Sequence, residues 1–302
     1  MKIPNYCHRS QKKRLTEKQV AFKKLIGLTE TGIANNGKYE HVLSEKDALQ
    51  GANFYCYKNA EEWERLKIWS NKNSKNRVTF DSQGLRIMSR SEHIPYNMFY
   101  PLAAIQEQNA KDEKLILFFE LLCNSMFTVH EVQQIRIEFV SDTIKKDKLL
   151  NDNTSFDVYV ELKTSVGIVA LGIEVKYTEG SYPYGKKEKE AMKDEKLPYC
   201  MYSKGIYKPG ATLELNTKEL KQPWRNHLLG IALCSKDASI DRFYSVHIYP
   251  ESNKYQAEVV NMYTKLLLDT YSFIPVTFEL FTTLAFKAFG VQNWIEYIQK
   301  RY

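Results

Sequence analysis

The chain has no run of about 18 consecutive apolar residues, the length a membrane-crossing helix needs, and its opening stretch MKIPNYCHRSQKKR has no apolar core of the kind a secretory leader carries. A cytoplasmic protein without a membrane partner is expected. Cysteine is sparse: Cys7, Cys56, Cys123, Cys200 and Cys234 are odd in number and form no Cys-x-x-Cys pair, so neither a disulfide framework nor a zinc cluster is indicated. Also missing are a glycine-rich phosphate loop, a Gly-x-Ser-x-Gly elbow and a Ser/His/Asp arrangement. ATP dependence is therefore not expected. Internal repeats and low-complexity tracts are absent too, and Arg225-Asn226-His227 lacks the second histidine and the ligand spacing of an HNH site.

What is present begins with a hydrophobic fraction of 43% in 302 residues, which is enough for an ordinary globular core. The net charge of +7 favours a polyanionic partner, but it is modest for a chain of this size.

The stretch that organises the rest is SFDVYVELKTSVGIVALGIEVKY, residues 155–177. Two apolar-alternating runs flank Thr164-Ser165-Val166-Gly167, so a hairpin with a four-residue loop pairs Lys163 with Ile168 and sets the register. One face then carries Phe156/Val175, Val158/Ile173, Val160/Leu171 and Leu162/Val169, all apolar. The other pairs Tyr159 with Gly172 and Glu161 with Ala170, and ends on Asp157 opposite Glu174, with Lys176 next along. Opposed like charges cost a sheet up to roughly 1 kcal/mol, so this pair needs a reason. A hard divalent cation held by both carboxylates is one; an exposed sheet rim whose acids pair with nearby lysines is the other. On the cation reading, neutralising either acid in metal-free protein should leave stability unchanged or raise it.

Asp157 followed by Glu174-Val175-Lys176 resembles the PD-(D/E)XK nuclease superfamily, the restriction-endonuclease-like fold, with Phe156 where that superfamily often has proline. The stretches FDVYVEL, GIEVKYTEG and QPWRNHLLG resemble bacterial restriction-endonuclease-like members in particular. The resemblance implies an α/β fold, a central mixed sheet flanked by helices, with residues 1–100 as an N-terminal elaboration on a core at 101–302. It implies Mg²⁺-dependent hydrolysis of DNA, with Mn²⁺ able to substitute. Asp157, Glu174 and the Val175 backbone carbonyl would hold one or two ions, and Lys176 would orient or help deprotonate the attacking water. Cutting both strands would favour a homodimer. An upstream helix in such cores often lends another acid: Glu120 is the first candidate, then Glu92 or Glu107, and a plain surface glutamate is the competing reading. Glu138 reads at least as readily as an ordinary strand residue as it does as that acid. A nucleic-acid-binding or interaction protein that keeps the fold without cleavage is the alternative.

Along the chain, a helix over 10–28, capped near Thr16, carries Lys12, Lys13, Arg14, Lys18, Lys23 and Lys24, either a solvated face or a phosphate-contacting arm. Residues 31–37 read as a loop. Aromatic and basic residues interleave from Phe54 to Arg77, with Trp63 and Trp69 at helical spacing that suits a core better than base stacking. Two prolines break regular structure in 89–102; a helix over 112–127 and a strand over 134–140 follow. Residues 178–196, dense in glycine, lysine and glutamate, read as a mobile loop with a short charged helix, a cover for DNA or a solvated insertion. Gln222, Arg225 and Asn226 open a helix whose first turn can face a phosphate, while His227 reads as a core histidine or a site residue. A strand over 242–249 and helices over 255–268 and 294–300 close the chain, with a mixed apolar stretch over 273–289 between the two helices.

Overall fold

The computed structural model describes residues 5–73, 85–152, 154–181 and 198–302. Its centre is the hairpin of β4 (Phe156–Thr164) and β5 (Gly167–Val175), paired as the alternation requires, from Val158 opposite Ile173 to Lys163 opposite Ile168. The turn is tighter than expected. Thr164 pairs with Gly167, leaving two residues at the tip, and the Thr164 hydroxyl accepts from Val166 N–H and donates to the Gly167 carbonyl. Gly167 makes this possible with φ of 100°, a conformation side chains disfavour.

The sheet extends on both sides, in the order β3-β4-β5-β6-β7. β3 (Val129–Phe139) pairs antiparallel with β4, whereas β6 (Arg242–Tyr249) and β7 (Phe273–Thr277) run parallel to β5. Helices cover both faces, as an α/β sheet with apolar residues on both sides demands. One face packs Val158, Val160, Leu162, Val169, Leu171 and Ile173 into a core with the N-terminal helices and the last two helices. The other, carrying Tyr159, Ala170 and Phe243, is covered by Trp224, Leu228 and Ala232 of a long helix and by Val259 and Tyr263 of the next. The chain is thus a mixed α/β protein with a five-stranded sheet flanked by helices, a restriction-endonuclease-like fold.

In chain order the helices include α1 (Asn5–Leu25), α2 (Glu45–Leu49), α3 (Ala60–Asn73), α4 (Ile94–Gln108) and α5 (Glu113–Leu122) before the sheet. After the hairpin come α6 (Pro198–Ser203), α7 (Ala211–Leu215), α8 (Lys221–Lys236), α9 (Lys254–Leu266), α10 (Phe278–Phe289) and α11 (Asn293–Arg301). Several differ from expectation. α1 begins before Thr16, which lies inside it, and Lys23 is buried, donating to the carbonyls of Glu30, Glu40 and Val42 rather than facing solvent. Residues 31–37 hold a small hairpin, β1 (Gly32–Ala34) and β2 (Gly37–Tyr39), turned by Asn35 and Asn36 with φ of 48° and 63°. The two prolines do not break α4: Pro95 sits in the first turn, and Pro101 is tolerated inside because Tyr96, Met98, Phe99 and Leu102 are all buried. α5 stops at Leu122, since Asn124 and Ser125 turn left-handed, and 273–289 resolves into β7 and α10. Trp63 and Trp69 are core residues; Arg77 and most of 178–196 lie outside the described residues.

Described residues among the first hundred, including Leu15, Leu43, Trp63 and Phe99, share one hydrophobic cluster with α10 and α11. Arg301, wholly buried, pins them together by donating to Gln19 Oε1 (2.9 Å), the Asn53 carbonyl (2.6 Å) and His93 Nε2 (2.8 Å). Burial and this cation hold the His93 pKa well below its ordinary range, so the imidazole accepts as a neutral ring.

Two glycines leave room for the rings between α8 and the sheet, Gly230 on α8 and Gly172 on β5. A Cβ on Gly230 would stand 2.0 Å from Phe243 Cζ, and one on Gly172 2.4 Å from Phe156 Cε1. Gly230→Ala should therefore lower Tm, since overpacking of about 1–3 kcal/mol outweighs the gain of about 1 kcal/mol in helix propensity. Calorimetry checks this; an unchanged or raised Tm would mean that α8 does not rest on Phe243.

Candidate active site

At the open end of the hairpin the alternation of β3 and β4 breaks down, and acidic side chains collect there. Ile137 pairs with Val158 and Phe139 with Phe156, so Glu138 faces Asp157 across β3 and β4. Glu138 adopts φ of 54°, a left-handed backbone that costs a residue with a Cβ about 1–2 kcal/mol. The conformation reverses the side chains: Ile137 points into the first core, but Phe139 stacks on Tyr159 in the second, with centroids 4.0 Å apart. Phe156 follows Phe139, so it does not share the apolar face with Val158 and Val175 as the strict alternation required. Between the two faces, the Asp157 carboxylate turns into the plane of the sheet, and its Oδ2 accepts from Val175 N–H at 2.7 Å.

β5 supplies the rest. Glu174 is buried, and its Oε1 forms an ion pair with the equally buried Lys176 ammonium. Its Oε2 accepts from Asn226 Nδ2, delivered by the first turns of α8. Lys176 N–H donates to the Ile248 carbonyl on the β6 side at 2.8 Å, whereas Val175 N–H points to the β4 side. In an extended strand a residue's N–H and C=O share a side, so the Val175 carbonyl looks into the same gap as Asp157.

The segment leaving β5 is strapped down. Asn253 Nδ2 donates to the Tyr177 carbonyl at 2.8 Å, Gln256 Nε2 to the Glu179 carbonyl at 3.1 Å, and Thr178 Oγ1 to the Ser89 carbonyl at 2.7 Å. The Glu179 carboxylate accepts from Tyr177 N–H at 3.0 Å and Ser91 N–H at 2.7 Å. Tyr177 itself donates to the Leu15 carbonyl of α1 at 3.1 Å. These bonds fix the backbone immediately after Lys176.

The electrostatics record the crowding. Burial, reinforced by Glu174 and Glu138, raises the Asp157 carboxyl well above the carboxylate range, against the opposing pull of Lys176 and of Val175 N–H. Burial, with Glu174 and Glu92 adding to it, pushes Glu138 up to about 7. His247 on β6, directly opposite Glu174, is lowered to about 4 by burial; its Nε2 bonds Gln256 Oε1 at 3.2 Å. Among the described residues no three His, Cys, Asp or Glu side chains are arranged to hold a metal ion by themselves. The donors that converge suit a hard cation nonetheless: carboxylate oxygens of Asp157 and Glu174 and one backbone carbonyl, the rest of the shell being water, as Mg²⁺ prefers. Asn226 Oδ1, buried without a hydrogen-bond partner beside Glu174, is a further acceptor such a shell could satisfy.

Other candidates fall elsewhere. Glu120 is placed at the wrong end of the sheet: its Oε1 accepts from Val129 N–H at 2.8 Å, and Val129 pairs with Thr164 at the hairpin turn, roughly 20 Å along the strand from Asp157. Glu107 accepts from Trp69 Nε1. Glu92 is exposed and paired with Arg90 at 3.5 Å, and its charge reaches Glu138. The acid that faces Asp157 is Glu138, whose signal was obscured because strand residues alternate and nothing in the sequence marks the backbone reversal. Asn226 lies against Glu174, while Arg225 turns away to Thr154 Oγ1 (2.8 Å) and Asp152 Oδ2 (3.3 Å). Gln222 is half-buried at the start of α8, and His227 is a core histidine bonded to Tyr263 OH at 3.0 Å. Lys12, Lys13 and Arg14 are exposed on α1.

This geometry divides the two acids. Asp157→Asn keeps an acceptor for Val175 N–H and removes a crowded charge, so Tm should rise. Glu174→Gln strands the buried Lys176 ammonium, so the expectation that it too would be neutral or stabilising is corrected to a loss on the order of 3 kcal/mol, roughly 6 °C or more. Melting curves of the two metal-free variants decide; a rise in both would contradict the ion pair.

A family model described as PD-(D/E)XK nuclease superfamily matches residues 8–302, nearly the full length. No curated protein and no solved structure matches the chain. With the match running through α1, the sheet and the final helices alike, the chain belongs to the PD-(D/E)XK nuclease superfamily.

Proposed function

We propose that the protein is a divalent-metal-dependent nuclease that hydrolyses phosphodiester bonds of DNA, as an endonuclease. The observation that carries this reading is the meeting of Asp157, Glu174, Lys176 and the Val175 carbonyl side at one strap-held sheet edge, with Glu138 across from Asp157. Asp157, Glu174 and the Val175 carbonyl would hold Mg²⁺ or Mn²⁺. The ion, when bound, supplies Lewis-acid stabilisation of phosphate charge and lowers the pKa of a bound water. Lys176 presents its ammonium in the same gap, where it orients the attacking water and neutralises charge developing on the phosphate. Asn226 holds the Glu174 carboxylate in place, and Glu138 supplies a third carboxylate for a second ion or for the water.

The DNA partner is supported by the exposed cations of α1, a helix tied next to the site by the Leu15–Tyr177 bond. Among the described residues no helix is long and apolar enough to cross a membrane.

The reading is tested by incubating the protein with supercoiled plasmid, linear duplex, single strands and genomic DNA from several sources, with Mg²⁺, Mn²⁺ or EDTA. Metal-dependent cleavage is expected, falling about a hundredfold or more in Asp157→Asn, Glu174→Gln and Lys176→Ala. Binding without cleavage of any substrate would favour a non-catalytic nucleic-acid-binding protein instead. Replacing Lys12, Lys13 and Arg14 with Ala should reduce the slope of log affinity against log salt by about 0.9 for each phosphate that is no longer neutralised. An unchanged slope would return α1 to the status of a solvated helix.

A further inference from the structure

Between β3 and β4 the chain leaves the sheet after Phe139 and returns at Phe156, and under this excursion lies a cavity of about 880 Å³. Its floor is apolar, with Phe139, Phe156 and, from α8, Leu229 and Leu233. The rim is polar: Ser141 and Thr143 carry hydroxyls, Lys145 and Lys146 are exposed cations, and the carboxylates of Asp142 and Asp152 are paired with Arg136 and Arg225. The returning limb is clamped by α8 and α6. Arg225, on α8, bonds Thr154 and Asp152, and Tyr199 OH donates to Asp152 Oδ2 at 2.5 Å, so the limb is tied to the start of α8, about one to two turns before the cavity floor at Leu229 and Leu233.

The position of this cavity gives it a role. Glu138 lies on its wall, and the same Glu138 faces Asp157 and shares the field of Glu174. A space of this volume is at the upper end of small-ligand pockets, far beyond a trapped water. An apolar and aromatic floor suits the face of a nucleobase, hydroxyls at the rim suit its edge, and two lysines suit the phosphate attached to it. A base that is paired and stacked in a duplex cannot enter; an unpaired one can.

We propose that this cavity receives the base of an unpaired nucleotide beside the bond to be cut, which makes single-stranded or locally melted nucleic acid the substrate class. The proposal rests on the nuclease reading above and specifies its substrate.

The test uses the whole chain in EDTA, titrated with a single-stranded oligothymidylate carrying one 2-aminopurine and with the same strand in a duplex. The single strand should bind with a rise in 2-aminopurine fluorescence as the base leaves its stack. Leu229→Phe, which narrows the floor, and separately Lys145→Glu with Lys146→Glu, on exposed positions that leave the fold intact, should each weaken that binding about tenfold and abolish the rise. Binding with unchanged fluorescence, equal affinity in the lysine variant, binding of duplex alone, or no binding would each overturn the proposal. Cleavage with Mg²⁺ separates the two readings. A responding probe without cleavage counts against the nuclease alone; cleavage of duplex with a silent probe counts against the cavity alone.

Discussion

The structure turns on one buried ion pair, Glu174 with Lys176, set among carboxylates that repel one another. Glu174 and Lys176 are neighbours on the same face of one strand, so the fold brings them together whenever β5 forms. Asp157 and Glu138 arrive from β4 and β3 at the same edge, where their repulsion with Glu174 adds to burial in raising the pKa of both. Such a cluster is unfavourable in metal-free protein, and a bound cation would offset the repulsion. Such clustering of perturbed carboxylates is characteristic of functional sites.

Holding that cluster open requires rigid supports on every side, and the chain provides them from distant parts of its sequence. Asn226 on α8 reaches Glu174 because Gly230 and Gly172 let the helix settle against Phe243 and the sheet. α9 straps the exit of β5 through Asn253 and Gln256, and the segment before α4 does so through Ser89 and Ser91. α1 is tied to the same exit through Tyr177, and α11 to α1 through Arg301. The N-terminal region is therefore part of what fixes the chain after Lys176, with the basic helix α1 bonded to Tyr177.

Much of this was legible in the hairpin alone. Period-two alternation on two buried faces leaves one register that keeps both faces apolar, and that register brings Asp157 to the end of the strand opposite Glu174. The same alternation misled where the backbone departs from it: the left-handed Glu138 moves Phe139 and Phe156 to the other face and turns a plain strand glutamate toward the acids. Glu120 attracted attention by its place in the preceding helix, but a helix that feeds β3 at Val129 ends beside the hairpin turn, the length of the strand away. The straps from Glu179, Asn253 and Gln256 join residues far apart in sequence through backbone carbonyls and amides, and no residue pattern announces such bonds. Pro101 shows the opposite failure, a helix breaker overruled by a segment buried on all sides.

On the proposed reading, Asp157 and Glu174 form a cation site that Lys176 closes in metal-free protein. Anomalous scattering from crystals soaked in Mn²⁺ measures this directly. The account predicts the strongest peak against the carboxylates of Asp157 and Glu174, with the Lys176 ammonium displaced from Glu174, and no such peak in the Asp157→Asn, Glu174→Gln double variant. Mn²⁺ bound only elsewhere, with the Glu174–Lys176 pair intact, would contradict it.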